Sequence, residues 1–390
     1  MQSKIIVLGG DGFCGWPTAL HLSDLGYDIV IVDSLVRRSI EKELGAESLT
    51  PIVSMQERIA AWRAVSGRTI EFCEMDVAQD YDALFELILN HEPMCIIHFA
   101  EQRAAPYSMK SSQHKRYTVT NNISATHNLL SAIVESGQGI HLVHLGTMGI
   151  YGYGVIPNET PEGYLEVSLP KEDGSFQLEI PYPASPGSVY HVTKEMDASL
   201  FRFYNRNDNL RITDLHQGIV WGVHTKQTIQ HEHLINRFDY DGDFGTVLNR
   251  FLVQAALQHP LTVYGNGGQA RAFINIQNTV ECIGLAVSNP PSNGMRVQVL
   301  NQMTEVYTVS ELASMVSKLS GAEITHIENP RVEKSENSLL VSNNTLLGLG
   351  MQPKLLSELL MEEIVEIADQ FKDRVRPETI YPTSFWRSKK

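Results

Sequence analysis

The sequence predicts an α/β protein with a Rossmann-type doubly wound parallel sheet and a smaller C-terminal substrate-binding lobe. Short apolar segments that suit buried parallel strands alternate with helical patterns as far as about residue 194. The first apolar segment leads into a glycine-rich turn and the second ends in an aspartate, a combination typical of dinucleotide-binding domains. We therefore expect residues 1–195 to hold the dinucleotide. Residues 196–390 should form mainly the substrate lobe, with some segments returning to the sheet.

Composition excludes several classes of partner. The 390 residues include 31 basic and 45 acidic side chains and carry a formal charge of -14, which argues against nucleic-acid or anionic-membrane binding. No apolar run approaches the ~20 residues of a membrane span. The four cysteines are scattered and the chain enters a strand without a visible targeting segment, so we expect a cytoplasmic protein, or a stromal one if a plastid transit peptide was removed. No cluster of metal-ligand spacing is visible, and no metal is predicted.

The first strand and its turn predict a cofactor site. Residues 4–8 are apolar and β-branched, and a Gly-x-x-Gly-x-x-Gly turn follows them and opens a helix. Glycine at these positions lets backbone N–H groups approach a pyrophosphate at the helix N-terminus. The predicted site residues of this turn are Gly9, Gly12, Phe13, Cys14 and Gly15.

The second strand indicates which dinucleotide is bound. It runs from Asp28 to Val32 and ends at Asp33, whose carboxylate can accept both ribose hydroxyls and would repel a 2′-phosphate. This favours NAD over NADP. Arg37 and Arg38 follow closely and weaken the preference slightly, and we include both among the cofactor-binding residues.

Two further strands, 70–73 and 94–99, bring more residues to the same sheet edge. Asp76 closes the first of them and can reach the adenine amino group, although a helix N-cap would use the same residue. The loop after the second strand lies where ligands bind in doubly wound sheets. Cofactor contacts are predicted from Asp76, Val77, Phe99 and Ala100, and Arg103 in this loop could bind an anion or form a surface salt bridge.

The segment 140–145 predicts a fifth strand, which places Thr147 at its tip, facing the cofactor. A helix over 121–135 precedes this strand.

Tyr190 and Lys194 are four apart and share one face of a later helix, where the ammonium can lower the phenol's pKa from its usual value near 10. A phenolate so prepared can take a proton from a sugar hydroxyl while hydride leaves the same carbon.

The remaining chain predicts a loop or hairpin over the site at 153–188, which is rich in Pro, Gly and acidic residues. A strand over 211–220 follows it. Helices are then expected at 249–257, 309–319 and 355–371, with a strand and turn at 261–268.

These motifs resemble the extended short-chain dehydrogenases that act on nucleotide sugars, and more closely the UDP-sulfoquinovose synthase family. The resemblance runs nearly end to end and includes stretches outside the general superfamily motifs. Those stretches are 9–16, 35–38, 101–103, 105–109, 146–149, 244–251 and 329–333.

The resemblance implies a cycle on UDP-glucose with NAD as catalytic cofactor. Tyr190 and Lys194 would act at C4 with Thr147, followed by loss of the C5 hydrogen and the 6-hydroxyl, addition of sulfite at C6, and return of the hydride. It also implies a homodimer. The substrate-binding residues implied, or placed by the loops above, are Gln102, Arg103, Asn122, Thr147, Gln217, Arg250, Tyr264, Arg271 and Arg331.

Two departures from the family pattern bear on the later steps. Ile150 stands where the family has a glutamate, and Ile cannot move a proton. His216 stands where the family has an asparagine; it could supply proton transfer or be a packed, hydrogen-bonded imidazole. His191 is a second candidate, with solvent exposure as its alternative. Three functions stay open: sulfoquinovose synthesis, an NAD-dependent 4-epimerase or dehydratase, and a catalytically idle dinucleotide-binding protein.

Overall fold

A seven-stranded parallel sheet forms the centre of the protein. The structure is a computed structural model that describes residues 3–152 and 159–386. The strands in that part of the chain are β1 (Lys4–Leu8), β2 (Asp28–Asp33), β3 (Ile70–Glu74), β4 (Cys95–His98), β5 (His141–Thr147), β6 (Tyr164–Lys171), β7 (Gly174–Pro181), β8 (Arg211–Gln217), β9 (Ile219–Trp221), β10 (Leu261–Tyr264), β11 (Ala270–Asn275), β12 (Gln298–Gln302), β13 (Glu305–Thr308) and β14 (Ile324–Ile327).

Helices cover both faces of this sheet, as a doubly wound fold requires. In the described part of the chain they are α1 (Gly15–Asp24), α2 (Val36–Leu44), α3 (Met55–Ser66), α4 (Tyr81–His91), α5 (Ala105–Met109), α6 (Ser112–Ser136), α7 (Val189–Asp208), α8 (Val247–Ala256), α9 (Ile276–Ser288), α10 (Val309–Ser320), α11 (Asn344–Gly348) and α12 (Met361–Gln370). One apolar core joins the sheet to α1, α3 and α9, and a second joins it to α4, α6 and α7.

The strand order creates the crevice that the sequence predicts. The sheet runs β12-β8-β5-β4-β1-β2-β3, so the chain moves outward from β1 in one direction and then returns to build the other half beside it. Ligands bind at such a reversal point, beyond the C-terminal strand ends. The predicted α/β fold class is confirmed.

The second half of the chain contributes to the central sheet and to smaller sheets. Strands β8 and β12 complete one edge of the seven-stranded sheet. A three-stranded sheet of β13, β11 and β9 and a pair of β10 and β14 share a third apolar core with α8, α10 and α12. The division of the chain near residue 195 stays a prediction.

The structure corrects several predicted boundaries. Helix α6 begins at Ser112 and not at 121, because the Ser111 hydroxyl caps it by accepting a hydrogen bond from the His114 N–H. The strand expected over 211–220 is interrupted at Gly218, where a Cβ would lie 2.8 Å from the Ala272 carbonyl oxygen. The helix expected over 355–371 is a π-helical turn, Leu356–Leu360, followed by α12. No helix among the described residues is long and apolar enough to cross a bilayer.

The turn after β1 gives a testable stability prediction. A Cβ on Gly15 would lie 2.1 Å from the backbone oxygen of Gly9, which cannot move away without breaking the turn. Gly15→Ala should lower the free energy of unfolding by about 3 kcal/mol or more, because overpacking against backbone cannot relax. Gly348→Ala is the control, since its Cβ meets nothing within 4 Å. Urea denaturation measures both; equal stabilities would contradict the prediction.

Candidate active site

A cleft of about 690 Å³ lies at the C-terminal ends of the sheet strands. Residues that follow β1, β2, β3, β4, β5 and β8 line it, together with side chains from the second half of the chain. The predicted residues that it brings together are Gly9, Gly12, Phe13, Cys14, Gly15, Asp33, Arg37, Asp76, Val77, Phe99, Ala100, Gln102, Arg103, Thr147, Tyr190, His191, Lys194, Gln217, Arg250, Tyr264, Arg271 and Arg331.

The glycine turn is shaped as a phosphate cradle. Gly9 adopts a φ of +83°, and a Cβ there would lie 2.7 Å from the carbonyl carbon of Phe99. The turn therefore packs tightly against the end of β4 and lines the cleft at the N-terminus of α1. Such an arrangement suits a pyrophosphate. These residues fit the predicted dinucleotide.

Asp33 lies at the tip of β2 and lines the cleft. Its carboxylate accepts hydrogen bonds from the N–H groups of Asp11 (2.9 Å) and Leu35 (2.7 Å), which fix its orientation. Burial and the neighbouring Asp11 raise the pKa of Asp33 to about 6. The side chain is thus held at the position where the ribose hydroxyls are expected.

The two arginines after β2 have different surroundings. Arg37 lines the cleft, donates to Asp239 at 2.9 Å, and lies 3.9 Å from the centre of the Phe244 ring. Arg38 lies outside the cleft lining and donates to Asp11 through Nε (2.7 Å) and Nη2 (2.8 Å). A guanidinium engaged in this way anchors the glycine turn, which corrects its prediction as a cofactor ligand.

Helix α7 carries the Tyr-x-x-x-Lys pair into the cleft. The Ser188 hydroxyl caps this helix by accepting from the His191 N–H, so the helix begins one residue before Tyr190. Lys194 is buried and donates to Glu101 Oε1 at 2.9 Å and to the Leu145 carbonyl oxygen at 2.8 Å. These bonds fix the ammonium beside the tip of β5.

The electrostatics of Tyr190 differ from the prediction. Burial raises the pKa of Tyr190 to about 12, and the charge of Lys194 opposes this rise without reversing it. Glu101 also raises this pKa, because its carboxylate pairs with Lys194 and cancels part of the ammonium's effect. In the protein alone Tyr190 is therefore a phenol. The phenolate needs further positive charge from a bound cofactor.

His191 packs over a glycine beside Tyr190. A Cβ on Gly149 would lie 2.4 Å from His191 Nε2, so only glycine leaves room for the imidazole. Burial, together with Arg331 and Arg271, lowers the pKa of His191 to about 3. Its Nδ1 is buried without a hydrogen-bond partner among the described residues. The half-buried side chain lines the cleft as a neutral imidazole, so the alternative of solvent exposure is wrong.

Thr147 stands at the cleft end of β5, as predicted. Its hydroxyl accepts a hydrogen bond from the Gly149 N–H at 3.1 Å. Gln217 is its partner in the register of β5 and β8, and the Gln217 amide donates to Thr279 at 3.2 Å. Both side chains lie on the cleft side of their strands.

Three arginines gather at the far end of the cleft. Arg250 donates to the Tyr264 hydroxyl at 2.7 Å, and Arg271 pairs with Glu333. Burial lowers the pKa of Arg331, and Glu333 opposes this. Guanidinium groups concentrated in this way suit a diphosphate.

The loop after β4 is held by a buried amide. Asn122 Oδ1 accepts from the Gln102 N–H at 2.8 Å, and Asn122 Nδ2 donates to the Gln102 carbonyl oxygen at 3.0 Å and to Thr193 at 3.1 Å. Asn122 has no exposed surface and does not line the cleft. It positions Gln102 and α7, which corrects its prediction as a substrate ligand. Arg103 lines the cleft and pairs with Asp239.

Comparison with known proteins identifies the family. The model of the NAD dependent epimerase/dehydratase family matches residues 5–299. The chain is 44% identical to the chloroplastic UDP-sulfoquinovose synthase of Spinacia oleracea, over 99% of this chain and 80% of that protein. It is 37% identical to the UDP-sulfoquinovose synthase of Sulfolobus acidocaldarius, over 98% of each. The chain belongs to the UDP-sulfoquinovose synthase family. It is an NAD-dependent enzyme of the extended short-chain dehydrogenase type.

Solved structures show the same fold at lower identity. The UDP-glucose-4-epimerase of Stenotrophomonas maltophila, solved with NAD and formylated UDP-arabinopyranose, matches with a TM-score of 0.71 and 18% identity over 95% of this chain and 98% of that chain. The UDP-glucose 4-epimerase of Thermotoga maritima matches with a TM-score of 0.70 and 19% identity, over 94% and 99%. The cleft therefore lies in a fold shared with nucleotide-sugar epimerases.

The two departures from the UDP-sulfoquinovose synthase family pattern do not face the cleft. Ile150 packs in an apolar cluster with Tyr151 and Tyr182, and it lines a smaller cavity. The His216 side chain also points away from the cleft. Its neighbour in β8, Gln217, lines the cleft, and successive side chains of a strand alternate between the two faces. His216 contacts Asp214 (2.9 Å) and Tyr151 (2.5 Å), as expected for the alternative of a packed, hydrogen-bonded imidazole.

The hairpin of β6 and β7 also lies away from the cleft. Among residues 159–184, none lines the cleft, whereas Tyr164 and Pro181 line the smaller cavity. The hairpin was expected to cover the site. Residues 153–158 of the same predicted segment lie outside the described residues. Only the segment that follows the hairpin, 185–187, reaches the cleft.

Sequence reasoning missed several acidic and C-terminal residues of the site. Glu101 pairs with Lys194, Glu333 with Arg271 and Asp239 with Arg103. Trp386 lines the cleft near Arg331. A signal existed for the buried group: β5 reads His-Leu-Val-His and β8 carries Asp and His, which is unusual for buried strands.

One cluster has the composition of a metal site. Oxygen and nitrogen atoms of Glu101, His144 and Asp197 lie within 4.8 Å of one another. The Lys194 ammonium already lies 2.9 Å from both Glu101 Oε1 and His144 Nε2. A cationic side chain therefore fills the place of a metal ion, and the cluster supplies no argument for one.

Glu101 gives a pH prediction. Burial would raise its pKa, but Lys194 and His144 outweigh burial and hold it at about 2, below the ordinary value of 4.5. The depressed pKa stabilises the fold above about pH 4.5, and this contribution of about 3 kcal/mol is lost as the pH falls toward 2.

Glu101→Gln should therefore flatten the dependence of unfolding free energy on pH below about pH 5. Its stability at neutral pH should also fall, because Lys194 loses a buried partner. Chemical denaturation at a series of pH values measures both effects. Glu172→Gln in the exposed hairpin is the control and should follow the wild type. An unchanged slope for Glu101→Gln would contradict the assignment.

Proposed function

We propose that this protein converts UDP-glucose and sulfite into UDP-sulfoquinovose. The near full-length identity to two UDP-sulfoquinovose synthases supports this proposal. NAD, held by the glycine turn and Asp33, would supply the hydride acceptor and donor for C4. The chain's own residues would bind the nucleotide sugar, hold and move the protons, and exclude water.

The cleft residues divide these tasks. Tyr190 takes the O4 proton, Thr147 hydrogen-bonds the same oxygen, and Lys194 with the cofactor's charge stabilises the phenolate. Arg271 and Arg331 hold the diphosphate at the far end of the cleft. Gln102 and Arg103 lie in the loop after β4, where the sugar and sulfite are expected.

The observation that carries the proposal is the position of His191. The 4-ketone acidifies the C5 hydrogen, so elimination of the 6-hydroxyl needs a base in the cleft. An imidazole can act as that base, and His191 lines the cleft one residue after Tyr190 in α7. Ile150 faces away from the cleft, so its lack of a carboxylate removes no group from this site.

The direct test follows the product. Mass spectrometry of UDP-glucose after incubation with the protein should show a sulfite-dependent UDP-sulfoquinovose mass. An isomer that forms without sulfite would instead mean a 4-epimerase. Tyr190→Phe should keep NAD bound and lose at least about a hundredfold in product formation, because the base at O4 is gone. Full activity in that variant would refute the role of Tyr190.

His191→Gln separates oxidation from elimination. This variant should still reduce bound NAD when UDP-glucose is added, which absorbance at the NADH band reports. It should lose on the order of a hundredfold in sulfite-dependent product, since the C5 base is absent. His141→Gln, which changes a buried histidine remote from the cleft lining, is the control. Unchanged product formation in His191→Gln would assign the base elsewhere.

We also propose that the dinucleotide lies against residues 1–195 and the sugar mainly against residues 196–390. The protein would act in the cytoplasm or the plastid stroma.

We further propose that the protein is a homodimer. The exposed apolar side chains of α6 and α7 support the dimer: Val119, Val192, Met196 and Phe203 are each 38–51% exposed. Light scattering should give twice the mass of one chain, and Phe203→Glu should shift the mass toward the monomer. A wild-type monomer would refute the dimer.

A further inference from the structure

The last described residues run back along the wall of the cleft. Ile380 is 1% exposed and packs in the third apolar core, which α8 and α12 also share. The segment 382–386, which we call the strap, follows it. Pro382, Ser384 and Trp386 line the cleft, whereas the two strap residues between them are exposed. The strap therefore faces the cleft on one side and solvent on the other.

Three side chains, which we call the latch, hold the strap near its first end. The Thr383 hydroxyl donates to the Asp243 carboxylate at 2.8 Å, and Lys110 Nζ donates to Thr383 at 2.8 Å and to Asp243 at 2.8 Å. Lys110 follows α5, and Asp243 lines the cleft in the segment before α8. The latch therefore joins the strap to two segments that are far apart in the sequence.

The other end of the strap places a large ring at the cleft. The backbone N–H of Trp386 donates to the Pro330 carbonyl oxygen at 2.9 Å. The Arg331 guanidinium carbon lies 5.5 Å from the centre of the Trp386 ring, within reach of a cation–π contact. A Cβ on Gly187 would lie 3.9 Å from Cζ3 of this ring and 4.0 Å from His191 Nδ1. The ring therefore lies between the arginines expected at the diphosphate and the histidine expected at the sugar.

We propose that the strap is a lid over the bound nucleotide sugar and that Trp386 is the residue that covers it. The inference rests on the proposed function, which places a diphosphate at Arg331 and a sugar near His191. The Trp386 ring contacts the junction of the sugar and the diphosphate. The lid opens to admit the nucleotide sugar and stays closed while it reacts.

The contacts of the strap suit a segment that opens and closes. The strap forms neither helix nor strand, so its opening leaves the sheets and the helices intact. The Lys110 side chain is 25% exposed, so water can replace its bonds in the latch. Ile380 remains buried in its core and gives the strap a fixed end. Segments with few buried contacts open locally at a low cost in free energy.

The proposed cycle requires the nucleotide sugar to stay bound until the end. It passes through a 4-ketone and an unsaturated ketone, and either would be lost if the nucleotide sugar left before its C4 was reduced again. The enzyme would then be left in a form that cannot begin another cycle. A lid that slows the exchange of the nucleotide sugar keeps these intermediates in place. It also limits the access of water to C6, where sulfite must add.

Tryptophan fluorescence tests the contact between the lid and the ligand. The chain has four tryptophans, and Trp16, Trp62 and Trp221 are at most 1% exposed and lie outside the cleft lining. Addition of UDP to the NAD-loaded protein should therefore change the emission of Trp386, and Trp386→Phe should remove most of this change. Trp62→Phe is the matched control and should keep the change. An undiminished change in Trp386→Phe would overturn the proposal.

Thr383→Val distinguishes a lid from a simple contact. Valine keeps the shape of the side chain but removes the hydroxyl from the latch, and Thr383 itself does not line the cleft. A loosened lid is open more often both before and after binding. Stopped-flow mixing with UDP should therefore show association and dissociation rates that both rise about tenfold. A rise in the dissociation rate alone would indicate a lost contact and would overturn the lid, as would two unchanged rates.

Thr379→Val is the matched control for the latch variant. The Thr379 hydroxyl donates to the Arg376 carbonyl oxygen at 2.8 Å, outside the latch, so this variant should bind and release UDP at the wild-type rates. The same experiment separates the two proposals. A wild-type protein that does not bind UDP would refute the proposed function, whereas normal UDP binding with wild-type rates in Thr383→Val would refute only the lid.

Discussion

The buried ion pair of Lys194 and Glu101 is the interaction on which the rest of the site depends. It joins α7 to the loop after β4, and the bond from Lys194 to the Leu145 carbonyl oxygen adds the tip of β5. These three elements come from distant parts of the sequence. A charge so far from water is stable only with its partner, so the pair fixes α7, and with it Tyr190, over the glycine turn.

The same ion pair sets the chemical state of the site before ligands arrive. Glu101 offsets the charge of Lys194, so burial dominates and Tyr190 stays a phenol. Cofactor charge must complete the activation. The far end of the cleft gathers three arginines, Arg250, Arg271 and Arg331, and Arg271 pairs with Glu333. Guanidinium groups gathered in this way suit a diphosphate. The Tyr190 end of the cleft therefore favours a cationic ligand, and the arginine end favours an anionic one.

The fold and most of the cleft could be predicted because strand ends and glycines are local features. A parallel sheet gathers whatever follows its strands, so Gly9, Asp33 and Thr147 needed no register to be placed together. The faces of Ile150 and His216 do depend on register, so the sequence left the role of His216 open between proton transfer and a packed imidazole. The start of α6 depended on one capping serine, and Glu101 was missed because its partner lies almost a hundred residues away.

The packing of His191 over Gly149 has a consequence for the history of the family. An imidazole occupies the volume that any side chain at position 149 would need. Positions 149 and 191 should therefore change together, and a larger residue at 149 can be tolerated only after the imidazole at 191 has been replaced by a smaller side chain. Relatives without this histidine should be the ones in which position 149 varies.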